Sequence, residues 1–184
     1  YKTYMKDQNG FGYEKLIVYW LATTIYDLTA IFCDRYIDKR SRTHDQMVQA
    51  ARSGKQNIVE GSLSRSHESN IKLADVSHNS YGELLEDYRD YLRQKGLAQW
   101  PKEDPRILQI RKTYDLPYRT YSSYTTYTTY MNSHEAFANL MLTLCFKQIY
   151  LMSQFLKANQ ERFVKEGGFR ENLFKKRLEY RKHV

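Results

Sequence analysis

The chain has 184 residues, with 29 Lys and Arg against 21 Asp and Glu and a formal charge of +8. That length holds one cooperative core rather than two, and the positive balance favours polyanionic partners such as RNA or DNA over basic ones. The opening segment YKTYMKDQNG lacks the apolar stretch of a secretory leader, and no apolar run is read as approaching the ~18 residues of a membrane span, so a cytoplasmic protein with no membrane partner is expected.

From Tyr13 to about Lys39, apolar residues including Leu16, Val18, Trp20, Ile25, Leu28, Phe32 and Tyr36 recur at helical spacing, with no Pro or Gly between them. They predict a first helix. A second opens at Thr43, paired with Gln46 as a capping box, and is expected to stop at Gly61. The third runs from the N-cap Ser66 through Ile71, Val76, Leu84, Tyr88 and Leu92 to Lys95, where Gly96 supplies the C-cap. Pro101, Pro105 and Pro117 then punctuate a connection over residues 97–131 that holds one short helix, from Pro105 to about Tyr114. The fourth long helix opens at the box Asn132 to Glu135, continues through Phe137, Leu144, Ile149 and Phe155 to about Lys165, and ends at Gly167 and Gly168.

The fold expected is all-α: an up-down four-helix bundle over residues 1–166 followed by a C-terminal helical suffix over 167–184. Phe169, Leu173, Phe174, Leu178 and Tyr180 of the suffix need a surface to bury against, on the bundle or on a neighbouring subunit, because an isolated helix of this length is marginal in water.

Small residues Ala50, Ala51, Ser53 and Gly54 lie on helix two beside Gln49, Gln56, Asn57 and Glu60, and helix three answers with Ala74, Ser77, Ser80 and Gly82. Small faces allow close approach of two helices and oblige any trapped polar group to find a partner. Gly54, Asn57, Glu60, Gly61 and Gly82 are therefore read as structural. Cys33 and Cys145 sit inside apolar patterns without CxxC or metal spacing, so buried thiols are expected, with pairing of the two left open.

No constellation of catalytic or metal-binding type emerges. In ARSGKQ the first Gly of a phosphate-binding loop is replaced by Gln49 and the final Ser or Thr by Gln56. Only Asp75 to His78 has the i, i+3 spacing of a di-iron bundle, where two such pairs and two further carboxylates are required. His44, His67, His78, His134 and His183 are scattered, and the ribonuclease-like pair Arg177 and His183 sits in a tail too basic for the match to carry weight. No enzyme activity, metal or cofactor is expected.

The basic residues cluster. Lys175, Lys176, Arg177, Arg181 and Lys182 crowd the suffix, while Arg52, Lys55, Arg65 and Lys72 surround the turn between helices two and three. Either group is a solvated face or a phosphate contact. Between the last two long helices stands YRTYSSYTTYTTY, with Tyr at every third position from Tyr118 to Tyr130. Period three drifts round an α-helix and alternates faces of a strand, but it aligns on polyproline-like chain or on 3₁₀ helix. Two readings stand: an ordered segment laying its rings on the bundle or on a neighbour, or a ladder in which Tyr121, Tyr124 and Tyr127 stack on unpaired bases.

The order of motifs resembles the four-helix bundle proteins encoded by intervening sequences in bacterial 23S rRNA genes. The residues that carry it are Asn57, Ile58, Glu60 and Gly61, then Arg65 and Ser66, then Gly82, Glu83 and Leu84, and the final third is similar to the subgroup with a C-terminal suffix. It covers most of residues 13–182. Where that family has Ser-Ile-Pro before Asn, this chain has Ser53, Gly54, Lys55 and Gln56, and the tyrosine repeat is no part of the pattern. The resemblance implies non-enzymatic homo-oligomers, often pentameric barrels, with one branch serving retroelement reverse transcriptases as a basic accessory subunit. The expected function is a nucleic-acid-binding accessory or scaffold protein acting as a homo-oligomer; the competing one is a structural or protein-interaction module, for example on a reverse transcriptase.

Overall fold

A computed structural model describes residues 11–113 and 125–182. Tyr118, Tyr121, Tyr124 and His183 lie outside them. A 3₁₀ turn at Gly12–Lys15 leads into α1 (Ile17–Tyr36), α2 (Arg42–Leu63), α3 (His67–Gln94), the short α4 (Pro105–Lys112), a 3₁₀ segment (Thr125–Asn132), α5 (His134–Glu166) and α6 (Phe169–Lys182). Every regular element among the described residues is helical. α1 packs on α2 and α5, α2 on α3, and α3 on α5, so the four long helices form a closed ring of neighbours with a bundle-like core.

The core follows from the periodic apolar positions. Leu21, Ile25, Leu28 and Phe32 of α1 meet Met47 and Ile58 of α2, Tyr81, Leu84 and Tyr88 of α3, and Phe137, Leu140 and Leu144 of α5, all buried in one cluster. At one end Phe32 takes the edges of Tyr88, Tyr91 and Phe137 at centroid distances of 5.0, 4.9 and 5.4 Å. Such edge contacts add about 0.5–1.5 kcal/mol each beyond the area they bury. α1 is, by length and composition, apolar enough to cross a membrane, with a window of mean hydropathy 1.2, which differs from the sequence expectation. Its apolar residues form the α1 contribution to this core.

Several ends sit one or two residues from their expected places. The N-cap of α2 is Ser41, whose hydroxyl accepts from the Thr43 amide at 3.2 Å, because Ser41 is the last residue with extended backbone and Thr43 is already inside the helix. α2 runs through Gly61 to Leu63, since Gly61 packs beneath Leu73 and Asn70 instead of turning the chain. Ser133, not Asn132, caps α5 and accepts from the Ala136 amide at 3.1 Å. Glu135 is drawn away to the α3–α4 connection, where it accepts from the Ala98 amide at 3.2 Å and from Trp100 Nε1 at 3.3 Å. α3 keeps its expected caps, Ser66 at the start and a left-handed Gly96 (φ 64°) after the end.

The α2–α3 crossing is close at one point. A Cβ on Gly54 would stand 2.6 Å from Tyr81 Cζ, and the Ser77 hydroxyl donates to the Gly54 carbonyl at 2.7 Å. Gly61 is also in contact, but nothing lies within 4 Å of a Cβ on Gly82, so Gly82 is not required there. Glu60 is exposed, standing about 200° round α2 from the buried Ile58, and is no part of the crossing. Asn57 is satisfied within its own helix, donating from Nδ2 to the Ser53 carbonyl at 2.9 Å and to its hydroxyl at 3.1 Å. Cys33 and Cys145 are both buried free thiols; burial pushes Cys33 up to about 12 and Cys145 higher still.

Candidate nucleic-acid interface

α6 is positioned by polar contacts at its start and not by burial. Gly167 adopts φ 74°, which ends α5, and a Cβ on Gly168 would collide with the Glu68 carboxylate of α3. Glu171 Oε2 accepts from the Gly168 amide at 3.0 Å, and Asn172 Nδ2 donates to the Glu166 carbonyl at 2.9 Å. The Ser66 hydroxyl, main-chain amides including that of Phe169, and His67 hold the Glu68 carboxyl below its ordinary value, so Glu68 stays anionic against the N-terminus of α6. Glu166 meanwhile pairs with Arg162 at 2.9 Å and approaches His67 Nε2 at 3.5 Å.

Beyond that turn no residue of α6 is buried. The suffix does not dock on its own bundle, contrary to one of the two expectations, and Phe174 and Tyr180 are 62% and 72% exposed. Lys175, Lys176, Arg177, Arg181 and Lys182 are all exposed, so the structure leaves the whole predicted cluster accessible. In α6 as a whole six basic residues stand against Glu171 and Glu179. At 100° per residue they sort by type: Arg170, Arg177 and Arg181 fall within about 40° of one another, while Lys175 and Lys182 lie on the far side with the two glutamates.

The second predicted cluster is only partly available. Arg52, Arg65 and Lys72 are exposed. Lys55 is half-buried, its ammonium 5.9 Å from the Tyr19 ring centroid and 5.6 Å from that of Tyr26, beside Asp27. It is used to join α2 to α1.

Of the tyrosine repeat, the described part is 3₁₀ helix, one of the two geometries that bring period-three residues into line. Tyr127 is 1% exposed and belongs to the core, so it is not available for stacking on a base, which corrects its place among the binding residues. Tyr130, one turn on, is half-buried with its ring 6.4 Å from Trp100 and its hydroxyl 3.3 Å from Gln109 Oε1 of α4. Tyr121 and Tyr124 lie outside the described residues.

A cleft of about 700 Å³ opens between the first half of α2 and the second half of α3, with Ala50, Ser53 and Ser80 as its floor and Asp45, Glu83 and Asp87 along its sides. Among the described residues, Arg42 is the sole cation lining it. A second hollow of about 280 Å³ shares Asp87 and adds Asp38 and Asp90. Burial, with Asp90 and Glu83 close by, raises the Asp87 carboxyl above its ordinary value. The signal in the sequence was Glu83, Glu86, Asp87 and Asp90 at helical spacing, opposite in sign to the chain as a whole.

Among the described residues no three His, Cys, Asp or Glu side chains gather as a metal site, and the histidines stay apart: His44 beside Asp34 and Asp45, His78 on Ser153, His134 on Tyr91. Comparison with protein-family models, with curated proteins and with solved structures gives no match. Of the residues that carried the sequence resemblance, Ile58 and Gly61 are buried and Asn57 bonds within α2, while Glu60 is exposed and Gly82 stands open.

Proposed function

We propose that the protein is a non-catalytic nucleic-acid-binding accessory or scaffold protein, an up-down four-helix bundle with α6 as its suffix, working as a homo-oligomer in the manner of the proteins encoded by 23S rRNA intervening sequences. The observation that carries the reading is α6: a fourteen-residue helix with six basic side chains, none buried. Lys175, Lys176 and Lys182 are compact, hydrated charges on long stems, suited to phosphate oxygens of any sequence. Arg65 and Lys72, near the α2–α3 turn against which α6 begins, extend the same charge.

A second reading is favoured by the acidic cleft, which repels phosphate: a protein-interaction module, for example an accessory subunit of a reverse transcriptase, would use that cleft to hold a basic segment. Titration of labelled single-stranded RNA and duplex DNA of mixed sequence at low salt separates the two. Binding that is indifferent to sequence is expected; no binding of either nucleic acid leaves the protein-interaction reading in its place.

A further inference from the structure

The cleft and the suffix are complementary in charge. On α6, Phe169, Leu173 and Tyr180 form one exposed apolar strip, and Phe174 and Leu178 a second, with Arg170, Arg177 and Arg181 running between them. The lysines and glutamates occupy the rest of the helix. Arginine flanked by aromatic and aliphatic side chains is the composition of a protein interface, since the guanidinium is weakly hydrated and pairs with carboxylates through two parallel hydrogen bonds. The cleft offers what such a face needs: the carboxylates of Asp45, Glu83 and Asp87, with the small residues Ala50, Ser53 and Ser80 and the amides of Gln46 and Gln49 between them. Its lining runs from Arg42 to Ser53 on α2, about 17 Å of helix, and from Ser80 to Asp87 on α3, about 10 Å, so it takes up to about three turns of the roughly 21 Å α6.

The α6 of the same chain does not fill this cleft. It begins against Glu68, about 22 Å along α3 from Glu83, and Gly167, Glu171 and Asn172 fix its turn while its whole length stays exposed. We infer that α6 of one copy lies in the α2–α3 cleft of a second copy, with Arg170, Arg177 and Arg181 against Asp45, Glu83 and Asp87. The contact joins two different surfaces, so it repeats from copy to copy and either closes a ring or extends a filament. It also buries the two apolar strips that the bundle leaves uncovered, and it brings cations to Asp87, whose neighbours Asp90 and Glu83 are both acidic. The lysine side of α6 remains outward, available to phosphate. The inference deepens the oligomeric part of the function proposed above and is independent of whether nucleic acid binds.

The test is solution mass by light scattering in nucleic-acid-free buffer, on the full chain. The wild-type protein should be larger than a monomer. Arg170→Glu/Arg177→Glu/Arg181→Glu and Glu83→Lys/Asp87→Lys should each be monomeric, and an equimolar mixture should associate again, the two variants alternating, because each reversed surface then meets its opposite. As a second readout, a Glu83→Cys/Arg177→Cys chain should form disulfide-linked multimers under mild oxidation. A wild-type monomer, reversals that leave the mass unchanged, or a mixture that stays monomeric would each overturn the inference. Monomeric wild-type protein that still binds RNA would sink the docking while leaving the nucleic-acid reading intact; an assembly that binds no RNA or DNA would do the reverse.

Discussion

Tyr81 of α3 presses its hydroxyl end onto Gly54 of α2, so closely that a Cβ at Gly54 would stand 2.6 Å from Cζ and 2.9 Å from the hydroxyl oxygen. The ring is fully buried, with the Gln148 side chain beside its hydroxyl and the Gln148 amide in turn donating to the Val18 carbonyl at 2.9 Å. Three helices therefore hold the ring where it is. Gly54→Ala should lower stability by about 1–3 kcal/mol through overpacking, even though Ala is the better helix former by about 1 kcal/mol. Urea unfolding measures it. An unchanged or raised midpoint would mean that Tyr81 moves aside at no cost.

Asn57 and Glu60, adjacent in the motif, should behave differently. Asn57→Ala removes two hydrogen bonds to Ser53 and is expected to cost about 0.5–1.5 kcal/mol. Glu60→Ala touches an exposed side chain and should fall within about 0.5 kcal/mol of wild type. Equal losses at both positions would place Glu60 in a contact that this fold does not contain.

Those two residues show where the sequence stopped being informative. The long helices were legible because Leu21, Ile25, Leu28 and Phe32, or Phe137, Leu140 and Leu144, repeat at 3.6-residue spacing over many turns. Small residues gave the α2–α3 contact but not its rotation, so Gly54 and Gly61 fell in it while Gly82 and Glu60 fell outside. Caps shifted by a residue or two because Ser41 and Ser133 compete with Thr43 and Asn132 on backbone geometry alone. The acidic cleft joins residues some forty positions apart on two helices, and only their packing brings Asp45 and Glu83 together.

The tyrosine repeat gives a third prediction. Tyr127→Ala empties a core position and should cost about 3–5 kcal/mol, as for other buried aromatic rings. A stacking role for the repeat is therefore tested only by Tyr121→Ala/Tyr124→Ala. Loss of single-strand binding in that pair, with the mass in solution unchanged, would assign the repeat a part in the interface.

Alkaline pH should unfold the protein early. The Cys33 thiol is raised by burial from 9.0 to about 12, and Cys145, Tyr81 and Tyr88 are raised too, again chiefly by burial. A raised thiol means that the unfolded chain loses its proton first, so the stabilisation is complete below about 9 and drains away as pH climbs towards about 12. Each such group contributes a slope of up to about 1.4 kcal/mol per pH unit. Denaturant midpoints between pH 8 and pH 11 should fall steeply, and Cys33→Ala should make the fall shallower; a flat profile would show these groups to be solvated.

The most direct test of the central claim is the salt dependence of nucleic-acid binding by the wild type and by Lys175→Gln/Lys176→Gln/Lys182→Gln. All three lysines are exposed and lie away from the arginines of α6, so the variant should keep its melting temperature and its mass. If each neutralises one phosphate, the slope of log affinity against log salt should shrink by up to about 2.7 on duplex and about 2.1 on a single strand, with all sequences weakened alike. A wild-type protein that binds neither RNA nor DNA at low salt, or a variant whose slope equals that of the wild type, would contradict the account.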